Sequence, residues 1–173
     1  TSVLGLGGAA IAISYPLFKR FTHLPQLYLG IAFSWGIPMA FAAQTGRVPA
    51  LAWWILCANL LWTVAYDTMY AMADRPDDLK IGLKSTAILF GQYDLLVNAV
   101  LQALALAVLG IIGWGLHLNG WYYLGLVGAA GTAVYQYRLC RGRDRDMCLK
   151  AFINNTWFGA CVFAGLVCSY RLN

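Results

Sequence analysis

The chain has 173 residues, 61% of them hydrophobic and 11% charged, with seven tryptophans and ten tyrosines. That composition is too apolar for a soluble domain and marks a membrane protein. The net charge of +5 reads as topological bias and attraction to anionic lipid headgroups, because the basic residues flank apolar blocks; a nucleic-acid partner is excluded on that ground.

Apolar blocks long enough to cross a bilayer, about 20 helical residues each, fall at 1 to 18, 24 to 43, 48 to 66, 93 to 114, 119 to 137 and 151 to 170. They run continuously apolar, without the alternation a barrel strand needs. The expectation is therefore an all-α integral membrane protein, a single domain over 1–173 with about six spans. The first block, TSVLGLGGAAIAISYPLF, has no basic n-region and no small-residue cleavage signature, so it reads as a span of a chain cut mid-protein rather than a signal peptide. Pro38 is expected to kink or end the second block. Asn59 is a polar residue inside the third, a functional hint that helix-to-helix hydrogen bonding explains equally well. Trp35, Trp53, Trp54, Trp114, Trp121 and Tyr122 are expected at the membrane interfaces. The five cysteines form no CxxC pair, which argues against zinc and disulfides.

Alternate connectors must share a side. One side collects Lys19, Arg20, Arg75, Lys80, Lys84, Arg138, Arg141, Arg143, Arg145 and Lys150, and the other has only Arg47 and Arg171. The positive-inside rule then places the segment 67–92 at the cytoplasm, or at the matrix in an organelle.

That segment is the anomaly of the sequence. Every acid in the chain is an aspartate, and five of the seven, Asp67, Asp74, Asp77, Asp78 and Asp94, lie within 67–94. If the third block continues as helix, Asp67, Tyr70 and Asp74 share a face; Pro76 then opens a second helical piece, with Asp77 and Asp78 in its first turn. Clustered carboxylates repel one another unless a divalent cation or a basic side chain intervenes. Magnesium suits them, because one or two carboxylates hold it while water and phosphate oxygens fill its other positions. Lys80 and Lys84, with Lys19 and Arg20 on the same side, complement such a phosphate. Charge alone is explained as well by an ordinary solvated loop, but Tyr66, Tyr70, Gly82, Ser85 and Thr86 interleaved with the charges exceed what a spacer needs.

YDTMYAMADRPDDLKIGLKSTAILFG resembles the second aspartate-rich motif of the UbiA superfamily of intramembrane prenyltransferases, in the form found in 4-hydroxybenzoate polyprenyltransferases. YPLFKRFTHLPQLYLG and ANLLWTVAYD resemble the same family, so the likeness covers essentially the whole chain. It implies a nine-span helical bundle of which this chain holds about six, with a first motif, NDxxDxxxD, upstream of Thr1. It also implies magnesium at Asp74 and Asp78, a supporting carboxylate at Asp67, and diphosphate contacts from Tyr15, Lys19 and Arg20, with Lys80 and Lys84 as further candidates. The implied reaction joins a polyprenyl diphosphate to 4-hydroxybenzoate at the lipid bilayer. The alternatives are another aromatic prenyltransferase of the superfamily, against which KSTAILFG argues, and a cation-coupled transporter, whose acids belong at mid-membrane depth.

Overall fold

The computed structural model describes residues 2–22 and 24–172, with the backbone alone at 2, 3 and 15–21. All regular structure among them is helical: α1 (Ser2–Phe21), α2 (Pro25–Ser34), α3 (Gly36–Thr45), α4 (Ala50–Ile81), α5 (Thr86–Phe90), α6 (Asp94–Gly115), α7 (Gly120–Cys140) and α8 (Arg145–Arg171), with a 3-10 turn at Gly91–Tyr93. Each expected span coincides with one of these helices or, for the second, with the pair α2 and α3. Four segments, Pro25–Thr45, Ala50–Ile81, Thr86–Gly115 and Arg145–Arg171, are long and apolar enough to cross a membrane. Helix α7 matches them in length, with 21 residues, but its tyrosines and glycines make it less apolar, and the apolar stretch of α1 is Leu4–Ser14.

The second span is broken at Trp35, between α2 and α3. Pro38 has no N–H to offer the carbonyl four residues earlier, which leaves the helix weakest at that junction. The Trp35 indole N–H donates to the Leu4 carbonyl at 2.9 Å, tying the break to α1. Asn59 donates to the Ser34 hydroxyl at 2.9 Å, so the polar residue of the third span joins α4 to α2. Tyr122, in the first turn of α7, packs inside the bundle: it is 3% exposed, and its hydroxyl donates to the Leu109 carbonyl at 2.9 Å. The bare Cα of Gly113 makes room for its ring, with which a Cβ there would collide.

Helix α4 departs most from expectation. Its 32 residues measure about 48 Å at 1.5 Å per residue, against a hydrocarbon core about 30 Å thick, so one end stands well clear of the span. No second helical piece begins at Pro76: the helix runs through it to Ile81. Proline forfeits one backbone bond and crowds the preceding turn, but Met69, Ala71, Met72 and Ala73 of that turn are buried in a core shared with Ala87, Leu95, Cys140, Cys148 and Ala151, and this packing holds the helix together. It ends at Gly82, whose left-handed φ of 71° lets its N–H reach the Asp78 carbonyl.

Three connectors meet at that end of the bundle. Gln26, at the start of α2, accepts from the Thr86 N–H at 3.0 Å, and Arg143, between α7 and α8, reaches Asp94 at 2.8 Å. The opposite end gathers the α6–α7 turn and the end of α8, where the Asn119 N–H donates to the Ser169 hydroxyl at 3.2 Å. The alternation expected from the sequence is thus present in the bundle. Helices α7 and α8 approach closely where Gly125 meets Gly165; a Cβ on Gly125 would come within 2.8 Å of the Gly165 Cα.

Candidate active site

The C-terminal part of α4 carries the acids on two faces. At 100° per residue, Asp67, Asp74 and Asp78 fall within about 40° of arc over about 16 Å of helix, while Asp77 is turned away by about 100° from Asp78. The first three, with Tyr70, line one pocket of about 150 Å³. Its other wall comes from Lys84 and Ser85 on the connector to α6 and from Gln26 on α2.

The connector is fixed by its own chemistry. The Ser85 side chain caps α5 by accepting from the Ile88 N–H at 3.4 Å. The Thr86 hydroxyl lies 2.8 Å from that of Thr68 on α4, and both residues are fully buried. These bonds, with the one from Thr86 to Gln26, bring Lys84 to face the aspartates.

The remaining acids stand elsewhere. Asp77 pairs with Lys80 at 3.0 Å and with Arg145 at 2.9 Å; Lys80 is 74% exposed there and does not line the pocket. Arg145 also lies 3.9 Å from Asp74. Asp94 is fully buried between two arginines: Arg75 at 3.1 Å and Arg143, whose Nε and Nη2 both approach the carboxylate. Hydrogen bonding to Asp94 raises the Arg143 pKa above its ordinary value. The sequence cluster is therefore three structures: a pocket stripe, a surface pair and a buried ion network. The sequence carries no sign of the roles of Gln26, Arg143 and Arg145, the last two of which count in it only as positive-inside charge. Side chains of Tyr15, Lys19 and Arg20 lie outside the described residues.

Among the described residues, no three of His, Cys, Asp or Glu converge to enclose a metal ion. The donor set suits a cation held by one or two carboxylates with its other positions left to water and substrate oxygens, which is how magnesium binds; Asp74 and Asp78, one turn apart on the pocket face, supply that set.

An aromatic wall leads from the pocket into the bundle. Tyr70 meets Phe152 at 5.2 Å, Phe152 meets Tyr66 at 5.9 Å, Tyr66 meets Trp62 at 5.6 Å, and Trp62 stacks on Phe158 at 5.3 Å between ring centroids. It ends at an apolar crevice of about 220 Å³ whose lining includes Asn59, Trp62, Leu109, Phe158 and Gly159. The Trp62 indole N–H donates to Asn155 at 2.8 Å.

Fold and site together define a polytopic helical membrane protein with a carboxylate-lined pocket at one bundle end and an aromatic, apolar interior below it. Residues 1–167 match the UbiA prenyltransferase family, and the chain belongs to that family. It is 57% identical over 170 residues to the 4-hydroxybenzoate octaprenyltransferase of Methylococcus capsulatus, covering 98% of this chain and 58% of that protein. The proteins of the same name from Pseudomonas fluorescens and Coxiella burnetii are each 54% identical, over 98% and 99% of this chain and 57% and 60% of theirs. The chain thus spans less than two thirds of the length of these relatives. The apo structure of a UbiA homologue from Aeropyrum pernix superposes with a TM-score of 0.72 at 24% identity, over 95% of this chain and 63% of that one, which bears on the fold.

Proposed function

We propose that the gene product carrying this chain transfers a polyprenyl group from polyprenyl diphosphate to the ring of 4-hydroxybenzoate, ortho to its hydroxyl, in a magnesium-dependent step of ubiquinone biosynthesis. The observation that carries this reading is the convergence of Asp67, Asp74, Asp78 and Lys84 on one pocket that shares Tyr70 with the aromatic wall, in a chain more than half identical to proteins named for that reaction. The acids cluster at a helix end beside a lysine rather than at mid-membrane depth, which favours an anionic headgroup over the ion pathway of a transporter.

In this reading Asp74 and Asp78 hold magnesium, and Asp67, about two turns deeper, supports them. The bound metal supplies positive charge to the departing diphosphate. Lys84 neutralises diphosphate oxygens from the opposite wall, with Tyr15, Lys19 and Arg20 as further contacts; Lys80 would have to leave Asp77 to join them. As the bond between the allylic carbon and the diphosphate oxygen breaks, the electron pair leaves with the diphosphate. The ring carbon ortho to the phenol then bonds the allylic carbon, and the ring proton passes to a carboxylate of the stripe or to the released diphosphate. The tail lies along the aromatic wall toward the apolar crevice, where burial of its methylenes holds it.

The protein is assigned to the bacterial inner membrane, or the mitochondrial inner membrane, with the aspartate pocket at the cytoplasmic or matrix face. The test is transfer of label from polyprenyl diphosphate to 4-hydroxybenzoate by the full-length gene product in membrane vesicles, with and without magnesium. No labelled product under any metal condition would sink the reading.

A further inference from the structure

Asp94 is fully buried, stands outside the lining of the aspartate pocket and belongs to none of the motifs that carry the family likeness. Everything around it is a restraint on the α4–α6 connector. Arg75, next to Asp74 in sequence, gives one nitrogen to Asp94 at 3.1 Å and another to the carbonyls of Ala87 and of Gly91, the latter at 2.9 Å. Arg143 gives Nε and Nη2 to Asp94 and shares Nη2 with the Gln92 carbonyl at 2.9 Å. The Leu95 N–H donates to the same carboxylate at 2.7 Å. One carboxylate and two guanidinium groups therefore fasten three carbonyls of the connector to α4 and to the α7–α8 turn.

Arg143 does this from a strained position. Its φ of 53° is left-handed, a conformation that non-glycine residues hold only when their surroundings impose it. Its side chain is 39% exposed, in contrast to the 0% of its partner, so the arginine closes the network from outside. The flanking residue Asp144 caps α8, accepting from the Met147 N–H at 3.0 Å, and this anchors the turn that presents Arg143.

We propose that Arg143 is a positioning residue for the acid pocket: through Asp94 it holds the α4–α6 connector so that Lys84 stays opposite Asp74 and Asp78, and so sets affinity for the diphosphate group without touching it. The inference rests on the prenyl-transfer reading for its ligand but not for its geometry. The front of the connector is tied by Thr86 to Gln26 and Thr68; the rear, from Ala87 to Gln92, is tied by Arg75 and Arg143. Loss of the arginine at the outer edge releases the Gln92 carbonyl and leaves Asp94 with Arg75 alone, which loosens the grip of Arg75 on Ala87 and Gly91 and widens the range of positions open to Lys84. The network restrains the connector that carries Lys84, so the effect is expected on the diphosphate donor and not on the acceptor acid.

The experiment uses the full-length gene product in vesicles and compares wild type with Arg143→Gln and Arg143→Lys. The expected result for Arg143→Gln is a KM for polyprenyl diphosphate raised at least tenfold, a KM for 4-hydroxybenzoate within twofold, and new protease cleavage inside 82–93. Arg143→Lys, which keeps the charge but not the two-pronged geometry, should fall between. A donor KM within twofold of wild type, an equal rise in both KM values, or a connector that stays protected overturns the proposal. If Arg143→Gln does not assemble in the membrane, the same comparison on Arg143→Lys decides. A wild type that transfers nothing refutes the reaction, and the protease comparison still judges the clamp.

Discussion

Asp77 and Asp78 are neighbours in sequence with separate fates: Asp78 lines the pocket opposite Lys84, whereas the Asp77 carboxylate is held outside it by Lys80 and Arg145. A helix rotates successive residues by about 100°, so of two adjacent carboxylates only one can face a given ligand.

That separation gives an unequal pair of variants. Asp78→Asn should lower prenyl transfer at least a hundredfold, by removing a carboxylate ligand from the proposed metal. Asp77→Asn, which loses exposed pairs of little energetic weight, should change it no more than about threefold. Initial rates in vesicles at saturating magnesium compare the two, and equal losses would show that the stripe is misassigned.

Metal removal tests the same carboxylates from the ligand side. Chelation should abolish transfer, and added magnesium should restore it. In Asp74→Asn the magnesium needed for half-maximal rate should rise at least tenfold, because one of the two proposed carboxylate ligands is gone. A titration with an unshifted midpoint would remove Asp74 from the metal site.

The aromatic wall predicts a dependence on tail length. Trp62→Ala removes the side chain that links Tyr66 to Phe158 and lines the crevice. It should raise KM several-fold for a donor of eight isoprene units while leaving a two-unit donor within about twofold, since each buried CH₂ contributes about 0.8 kcal/mol. Parallel KM measurements with the two donors decide it.

The contact of α7 with α8 admits no side chain where Gly125 meets Gly165. A Cβ on Gly165 would lie 2.8 Å from the Gly125 Cα and 3.0 Å from the Tyr122 carbonyl oxygen. Gly165→Val should therefore destabilise the bundle by about 1–3 kcal/mol, the usual cost of overpacking. Thermal unfolding in detergent, followed by circular dichroism, should show the lower midpoint, whereas Gly131→Ala, at a position where a Cβ meets nothing within 4 Å, should not.

Topology can be read with cysteines. On a background lacking the native thiols, Arg141→Cys should be labelled by an impermeant maleimide only from the cytoplasmic or matrix face, and Gly46→Cys only from the other. Labelling of both from one face would contradict the paired connectors, and reversal would overturn the assigned orientation.

The membrane class, the placement of the helices and the pairing of connectors at each end are legible in the amino-acid order, because they follow from apolar length and charge count, which are additive along the chain. Periodicity also puts Asp67 and Asp74 on one helix face; Asp78, Lys80 and Lys84 stand out by charge and family likeness, and only the unbroken helix brings Asp78 into that stripe and leaves Lys80 outside the pocket. The sequence misleads at Pro76, since a single residue's propensity argues for a break while the buried turn of Met69, Met72 and Ala73 outweighs it. Tertiary structure alone decided that Asp94 belongs to two arginines, one of them 49 residues away, and that Gln26 backs the pocket. Ion pairs and hydrogen bonds depend on distance in space, and composition and periodicity carry no information about which distant segments the packing of α4, α6, α7 and α8 will bring together.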